Sequence, residues 1–382
     1  MSHHDTTLMQ ASRQWATRPD DQRFTSITEM LDYKRTLRAN SAGKVVPSKV
    51  LSVAPTADTA DAGLVVSGAN GAAYAPTHWA FGQLSQLAGA PAGYLRTLPA
   101  PIAADALNYG LRFNRQAEEV GVLLQRAAPD MESSHALASP QLVAATGPRY
   151  GRIWDADILA AVHDRFGSGV PGDGGAFTVP GIFGQALDRV TKGNTTLFGG
   201  DRDMFLFLAD EVNRVEIPNR RNGETGTLAR GFFIWNSEVG SKTFGVATFL
   251  FDYVCCNRIV WGAAEYKEIK IRHSSLAPER FLGEIQPALA SYANSSTASI
   301  TQAITDARAA RIDSDVGEFL AGRFGKRFAM SAMKAHELEE GRPIETLWDA
   351  TVGATAAAKG IAWQDERVEM ERKAGELLSL AA

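Results

Sequence analysis

The amino-acid sequence predicts an α+β fold, with a β-rich antiparallel central body, flanking helices and a helical C-terminal part. Residues 176–275 hold successive short apolar runs separated by turn residues, which is typical of strands. After Ser275 the apolar residues recur at helical spacing. We therefore expect a polar tail with a short helix over residues 1–40, a mixed α+β core over 41–275 and a helical region over 276–382.

The N-terminal third predicts short elements. Ser26, with Glu29 three residues later, is typical of a capped helix over residues 27–37. Residues 40–75 carry short apolar pieces interrupted by Gly, Pro, Asp and Asn, which predict short strands and turns. The stretch "PTHWAFGQLSQLAGAPAGYLRTLP" predicts a helical hairpin, and "QLVAATGPRYGRIWDADILAAVHDRFG" predicts a strand, a turn and a helix beginning near Asp155.

The central stretch "NSEVGSKTFGVATFLFDYVCCN" predicts a buried strand. From Phe244 onward both alternating faces are mostly apolar, so both faces should be covered. The run "GFFIWN" and the turn at Gly240 indicate that this strand pairs in an antiparallel hairpin. Successive strand residues point to opposite faces, so Cys255 and Cys256 cannot bind one metal together, and we expect them to be structural.

The C-terminal region predicts helices, with a kink or a split at Pro287. The final stretch "WQDERVEMERKAGELLSL" should dock along one helical face. That face contains Trp363, Arg367, Met370, Ala374 and Leu377.

Composition limits the function classes. The chain has 382 residues, 45% hydrophobic and 21% charged, as in soluble globular proteins. A net charge of −4 excludes a chain that is basic throughout, so any polyanion must bind a local patch. The polar N-terminus lacks the apolar core of a signal peptide, and no apolar run is long enough to span a bilayer. Two cysteines exclude a disulfide framework. We expect a cytoplasmic protein without a membrane partner.

One acidic pattern suggests metal chemistry. Asp252, followed by Glu265 and Lys267, resembles the carboxylate and lysine pattern of metal-dependent nucleases, in which carboxylates hold Mg²⁺. A Glu-x-Lys pair also arises by chance in a chain of this length. We assign no catalytic residue, metal or cofactor. The sequence leaves enzymatic activity undecided and favours a non-enzymatic role.

Basic and aromatic residues around the end of the buried strand suggest nucleic-acid contact. Basic side chains beside aromatic rings can follow a phosphate backbone and stack on bases. The alternative is a solvated edge strand, whose charges prevent edge-to-edge aggregation. The candidate residues are Arg220, Arg221, Arg258, Trp261, Tyr266, Lys267, Lys270 and Arg272.

The order of segments resembles a known family. "ATGPRYGRIWDADIL" precedes "GDRDMFLFLADE", which is followed by "NSEVGSKTFGVATFLFDYVCCNRIVWG" and by "LWDATVGATA". This order is similar to the phage/plasmid-like protein family, domain of unknown function nine-three-two, from about residue 75 to the C-terminus. The signature residues are Asn236, Ser237, Gly240, Cys255 and Asn257. Cys256 departs from the family pattern, which has a small or polar residue there.

The resemblance implies a phage- or plasmid-encoded accessory protein in a bacterial host cell, and it carries over no catalytic residue. We expect a nucleic-acid-associated protein that acts in replication or recombination of a mobile element. Its expected partner is single-stranded DNA, and we also expect homo-oligomers. Two alternatives remain open: a metal-dependent nuclease that uses Asp252, Glu265 and Lys267, and a host-factor interaction protein without nucleic-acid binding.

Overall fold

The chain folds as predicted, into an α+β protein with two sheets and helices around them. A computed structural model provides the coordinates. It describes residues 18–57, 59, 62–68, 71–127, 139–181, 187–218, 220, 223–253, 257–259, 269–294, 297–361 and 364–381.

The strands are numbered in chain order. They are β1 (Arg23–Phe24), β2 (Ser41–Pro47), β3 (Ser52–Pro55), β4 (Leu64–Ser67), β5 (Ala73–Pro76), β6 (Glu119–Gln125), β7 (Gln141–Thr146), β8 (Phe177–Thr178), β9 (Leu197–Gly199), β10 (Met204–Asp210), β11 (Val215–Ile217), β12 (Gly226–Asn236), β13 (Phe244–Asp252), β14 (Asn257–Ile259) and β15 (Ile269–Ile271).

The helices are α1 (Ile27–Ala39), α2 (His78–Leu87), α3 (Ala92–Leu95), α4 (Ala100–Phe113), α5 (Asp155–Phe166), α6 (Ala277–Arg280), α7 (Gln286–Asn294), α8 (Ala298–Ala309), α9 (Val316–Phe324), α10 (Lys326–Glu340), α11 (Leu347–Ala358) and α12 (Gln364–Gly375). Short 3-10 turns cover Asp20–Gln22, Ser48–Val50 and Glu376–Leu380.

The larger, antiparallel sheet has the order β1-β9-β10-β12-β13-β14, with β8 beside β10, β11 beside β12 and β15 beside β13. The hairpin β12–β13 lies at its centre and pairs Leu228 with Asp252 at one end and Trp235 with Gly245 at the other. Only Thr248 of β13 is more than marginally exposed. The expected two-sided burial is therefore confirmed, because separate apolar clusters cover the two faces.

The smaller sheet has the order β2-β6-β7-β5-β4-β3. Its pairs are antiparallel except for the parallel pair of β5 with β7. Helices α2 and α4 pack on one face of it, where Leu84 and Leu107 join the strand residues Val122 and Leu142 in one cluster.

Several local predictions are confirmed. Helix α1 begins after Ser26, whose hydroxyl accepts from the Glu29 amide, while the Glu29 carboxylate accepts from the Thr25 amide instead of closing a box on Ser26. Helices α2 and α3 form the expected hairpin, and α5 begins at Asp155. The irregularity expected at Pro287 is a π-helical turn over Phe281–Ile285, directly before α7.

Helices follow β15 to the end of the described chain. On α12, Arg367 and Ala374 are buried, as is Leu377 in the following turn, and Met370 is half-buried. These residues fit the predicted docking face, and Trp363 lies outside the described residues.

Candidate functional site

The turn between β12 and β13, residues 236–241, is the point where several distant segments meet. We call it the junction turn. The Ser237 hydroxyl accepts a hydrogen bond from the Ser241 amide at 2.9 Å and donates one to the Arg202 carbonyl at 2.8 Å. Gly240 has φ +84°, a left-handed conformation that side chains other than glycine disfavour. The Ser237 hydroxyl and Gly240 therefore both favour this turn conformation.

Asn236 connects the junction turn to the buried start of α5. Its amide nitrogen donates to the Ile153 carbonyl at 2.9 Å and to Asp155 Oδ1 at 2.7 Å. Asp155 Oδ2 forms a buried ion pair with Lys34 Nζ at 2.9 Å. Lys34 also donates to the Gly200 carbonyl at 3.2 Å. A buried charge pair needs such additional hydrogen bonds, because each ion has lost its water.

Glu238 supplies the helix cap that Trp154, the residue before α5, cannot provide. Glu238 Oε1 accepts from the Asp155 amide at 2.7 Å. Burial and the nearby charge of Asp155 raise the pKa of Glu238 from 4.5 to about 7. Burial alone lowers the pKa of Lys34, but the charges of Asp155 and Glu238 outweigh it, so that pKa is raised and the lysine stays protonated. The cluster thus contains one lysine that stays charged, Lys34, and two carboxyl groups, Asp155 and Glu238, whose charges both interact with it.

Tyr150 and Arg152 join the segment before α5 to the same turn. The Tyr150 hydroxyl donates to the Ser237 carbonyl at 2.6 Å, and Arg152 Nε donates to the Glu238 carbonyl at 2.7 Å. Burial raises the pKa of Tyr150, so its hydroxyl remains a donor. Its ring stacks on His273 with centroids 4.8 Å apart, and burial lowers the pKa of that histidine.

Helix α2 reaches the turn from the smaller sheet. Trp79 Nε1 and Gln83 Nε2 both donate to the Val239 carbonyl, at 3.0 and 2.7 Å. Gln83 Oε1 also accepts from the Ala145 amide of β7 at 2.9 Å. The junction turn therefore holds side chains that belong to the smaller sheet and its helix.

Arginine guanidinium groups lie over aromatic rings around this turn. The carbon at the centre of the guanidinium group lies 5.7 Å from the ring centroid for Arg152 over Tyr150, 5.5 Å for Arg152 over Trp154, 5.2 Å for Arg38 over Trp154 and 5.6 Å for Arg202 over Trp79. All four distances are within the range of cation–π attraction. We call the six residues Arg38, Trp79, Tyr150, Arg152, Trp154 and Arg202 the junction surface.

The charges of the junction surface are partly accessible. The side chains of Arg38 and Arg202 are 41% and 47% exposed, although each has an acidic neighbour. Arg38 pairs with Asp157, and Arg202 Nη2 lies 3.9 Å from Asp203 Oδ2. The Arg38–Asp157 pair is exposed on both sides and contributes only about 0–1 kcal/mol, and Arg202 lies near the limit of ion-pair distance from Asp203, so a polyanion can compete for both arginines.

Arg220 is not part of an exposed basic surface, contrary to the prediction. Its side chain is 1% exposed, and its Nη2 lies 2.8 Å from Asp252 Oδ2 and 2.5 Å from Glu340 Oε1. The guanidinium also lies 5.6 Å from the Trp348 ring. Charged loop residues are usually solvated, but here α10 and β13 each supply a carboxylate that encloses the arginine. We call Arg220, Asp252 and Glu340 the buried ion cluster.

The contacts of Arg220 also involve Asp252, one of the three predicted nuclease residues. Asp252 is fully buried, and its carboxylate accepts from Arg220. Glu265 and Lys267 lie outside the described residues. Within the described ranges, no group of three or more His, Cys, Asp or Glu side chains is arranged to hold a metal ion.

The remaining residues predicted to contact nucleic acid divide into three sets. Lys270 and Arg272 are exposed, and β15 aligns Lys270 with Gly245 of β13. For Arg258 the structure describes only the backbone, in β14. The residues outside the described ranges are Arg221, Trp261, Tyr266 and Lys267.

Three of the five signature residues build the junction turn. They are Asn236, Ser237 and Gly240, with the roles given above. Asn257 lies in β14, opposite Asp252 of β13. Cys255 and its neighbour Cys256 lie outside the described residues.

The prediction from sequence missed the junction surface. A local signal was present in "GPRYGRIW", where Arg149, Tyr150, Arg152 and Trp154 alternate basic and aromatic side chains within eight residues. Arg38, Trp79 and Arg202 carry no such signal, because the fold brings them there from elements far apart in the chain.

Comparison with protein-family models, curated proteins and solved structures gives no match to this chain. Among the described residues, no helix combines the length and the apolar character that crossing a membrane requires.

Proposed function

We propose that this protein binds single-stranded nucleic acid through the junction surface and acts without catalysing a reaction. The observation that carries the proposal is the set of arginine–aromatic pairs around the junction turn, among them Arg152 over both Tyr150 and Trp154. A flexible strand offers phosphates to the guanidinium groups and bases to the aromatic faces.

The chemistry of the surface fits a single strand better than a duplex. Arginines that already rest on rings need only a small movement to contact a phosphate, which leaves the ring face open for a base. Stacking contributes about 1–3 kcal/mol per base and requires bases that are not already paired. With a net charge of −4 on the whole chain, attraction to phosphate must come from this local set of arginines.

The resemblance to the phage/plasmid-like family supports a role in replication or recombination of a mobile element. Asn236, Ser237 and Gly240, which carry that resemblance, are the residues that shape the junction turn beneath the proposed surface. The nuclease alternative gains no support from the described residues, because Arg220 and Glu340 enclose Asp252. The host-factor role and homo-oligomerisation stay predictions from the sequence.

Fluorescence anisotropy with a labelled oligothymidylate at low salt tests the proposal. We expect saturable binding by the wild type and a loss of at least about tenfold in affinity for the double variant Arg38→Glu, Arg202→Glu, since each reversal removes a phosphate contact. The matched control reverses Arg327 and Lys334, which are exposed on α10, and has the same net charge. No binding at low salt, or equal losses for both double variants, would contradict the proposal.

A second exposed aromatic surface allows a test of where on the protein the oligonucleotide binds. On α4, Tyr109 and Phe113 are 66% and 68% exposed, and Arg112 lies 5.9 Å from the Phe113 ring. The variant Tyr109→Ala, Phe113→Ala should leave the affinity for the oligonucleotide within about twofold. A loss confined to this variant would place the binding site on α4 instead.

A further inference from the structure

The smaller sheet must be strongly curled, because its two edge strands are joined by a short turn. β2 ends at Pro47 and β3 begins at Ser52, yet these strands lie at opposite edges of the six-stranded order. Five residues reach at most about 18 Å. The edges of a flat six-stranded sheet would be about 24 Å apart. The register of β6 with β7 shifts between Leu123 and Leu124, where Val143 of β7 is left without a partner in β6, and such an irregularity adds local twist to the same sheet.

The curled sheet encloses a groove of about 280 Å³ on its concave face. Cross-strand pairs build its wall, with Lys44 opposite Val122, Leu124 opposite Leu142 and Val66 opposite Tyr74. Val46, Pro47, Val50 and Leu51 add to the apolar lining. Val122, Leu142 and Val66 belong to the cluster that α2 and α4 cover, so the groove is the open continuation of a packed core.

The groove lies on the opposite face of the sheet from the junction surface. At β2, a Cβ built on Gly43 would lie 3.5 Å from Arg152 Nη1. Neighbouring strand residues point to opposite faces, which directs Lys44 into the groove. Leu123, the partner of Gly43, packs with Ala144, and Trp79 and Trp154 pack against the same cluster. The groove is therefore a separate site.

A single cation marks the rim of the groove. Lys44 is exposed and is the only charged side chain among the described residues that line the groove. Within the described part of the chain, Lys44 has no carboxylate within ion-pair distance. The remaining polar group among its lining side chains, besides Tyr74, is the Ser67 hydroxyl. An anion that lies against the apolar wall loses part of its water, which strengthens its attraction to the ammonium group at the rim.

We propose that this groove binds a small apolar carboxylate, with the apolar chain against Val122, Leu124 and Leu142 and the carboxylate against Lys44. The volume is slightly below the roughly 300–1,000 Å³ of typical ligand pockets, which favours a single short chain. One cation is too few for a polyanion, and the apolar wall disfavours a fully polar acid.

Titration with decanoate, followed by calorimetry and by methyl resonances of the full chain, tests this inference. We expect saturable one-to-one binding that shifts the methyl signals of Val122 and Leu124. Decanol and decyltrimethylammonium should bind at least about tenfold more weakly, because they lack the charge-assisted contact. No saturable binding of decanoate below its micelle concentration overturns the proposal, as does equal binding of all three probes.

Substitutions at the rim test the charged part and the apolar part of the site separately. Lys44→Ala should weaken decanoate binding about tenfold, whereas Lys44→Arg keeps the charge and should stay within about threefold. Val46→Trp, at a half-buried position, should block the groove without removing the charge. Lys334→Ala on α10 is the matched control. Thermal unfolding confirms that each variant is folded, and wild-type affinity in both Lys44→Ala and Val46→Trp would refute the assignment.

Discussion

The buried ion cluster and the junction surface both place arginines beside aromatic rings and acidic groups, but only one of them faces solvent. Arg220 is 1% exposed between Asp252 and Glu340, whereas Arg202 is 47% exposed beside Trp79. The first arrangement holds α10 against the hairpin β12–β13. The second leaves the guanidinium groups of Arg38 and Arg202 partly exposed to solvent. Residue type and local sequence do not distinguish the two sites. They differ in how far other helices and strands cover the arginine.

The largest effect is expected from breaking the buried ion cluster. Arg220→Ala leaves the carboxylates of Asp252 and Glu340 buried without their guanidinium partner. We expect the free energy of unfolding to fall by about 3–5 kcal/mol, measured by urea denaturation.

The control for that variant is Arg311→Ala, because Arg311 is 70% exposed and pairs with Glu345 on the surface. Its unfolding free energy should change by no more than about 1 kcal/mol. Equal effects for the two variants would show that Arg220 is solvated in solution.

A smaller effect is expected at the junction turn. Gly240→Ala places a side chain at φ +84°, although its Cβ would meet only ordinary contacts, at 3.5 Å from Thr146 and Tyr150. Backbone strain should therefore lower stability by about 1–2 kcal/mol. Gly147→Ala is the control, because its φ is ordinary and its Cβ would meet nothing within 4 Å. Thermal unfolding compares them, and an unchanged melting temperature for Gly240→Ala would mean that the turn adopts another conformation.

The pH dependence of stability tests the charged cluster below the junction turn. The folded-state pKa of Glu238 is about 7, above its ordinary value of 4.5. The folded state therefore binds this proton more tightly than the unfolded state. The resulting stabilisation is present below about pH 4.5 and is lost as the pH rises towards about 7.

Glu238→Gln removes that titration and keeps a side-chain oxygen for the Asp155 amide. The difference in unfolding free energy between the wild type and this variant should change steadily between pH 4.5 and 7, with the wild type losing relative stability. Urea denaturation at several pH values measures it. A constant difference across the range would show that Glu238 titrates normally.

Patterns within single elements were predictable from the sequence. The two-sided apolar run from Phe244 predicts the buried β13, and Ser26 predicts the start of α1, because both signals depend on neighbouring residues only. Helix α4 was not predicted, and neither was β6, which pairs with both β2 and β7.

The candidate site was largely unpredictable for the same reason. Lys34, Arg152 and Glu238 meet only because α1, the segment before α5 and the junction turn pack together. Arg220 was misjudged because one of the two carboxylates that enclose it belongs to Glu340, 120 residues later. In both cases the environment of the side chain depends on residues that are far apart in the chain. The spacing of residues in the sequence does not predict such contacts.

The most direct test of the central claim is the salt dependence of oligothymidylate binding. For a single strand, the logarithm of the association constant falls with the logarithm of salt concentration by about 0.7 per phosphate contact. We predict that Arg38→Glu with Arg202→Glu makes this slope shallower by about 1.4, while the reversal of Arg327 and Lys334 leaves it unchanged. An identical slope for the wild type and the junction variant would contradict binding at the junction surface.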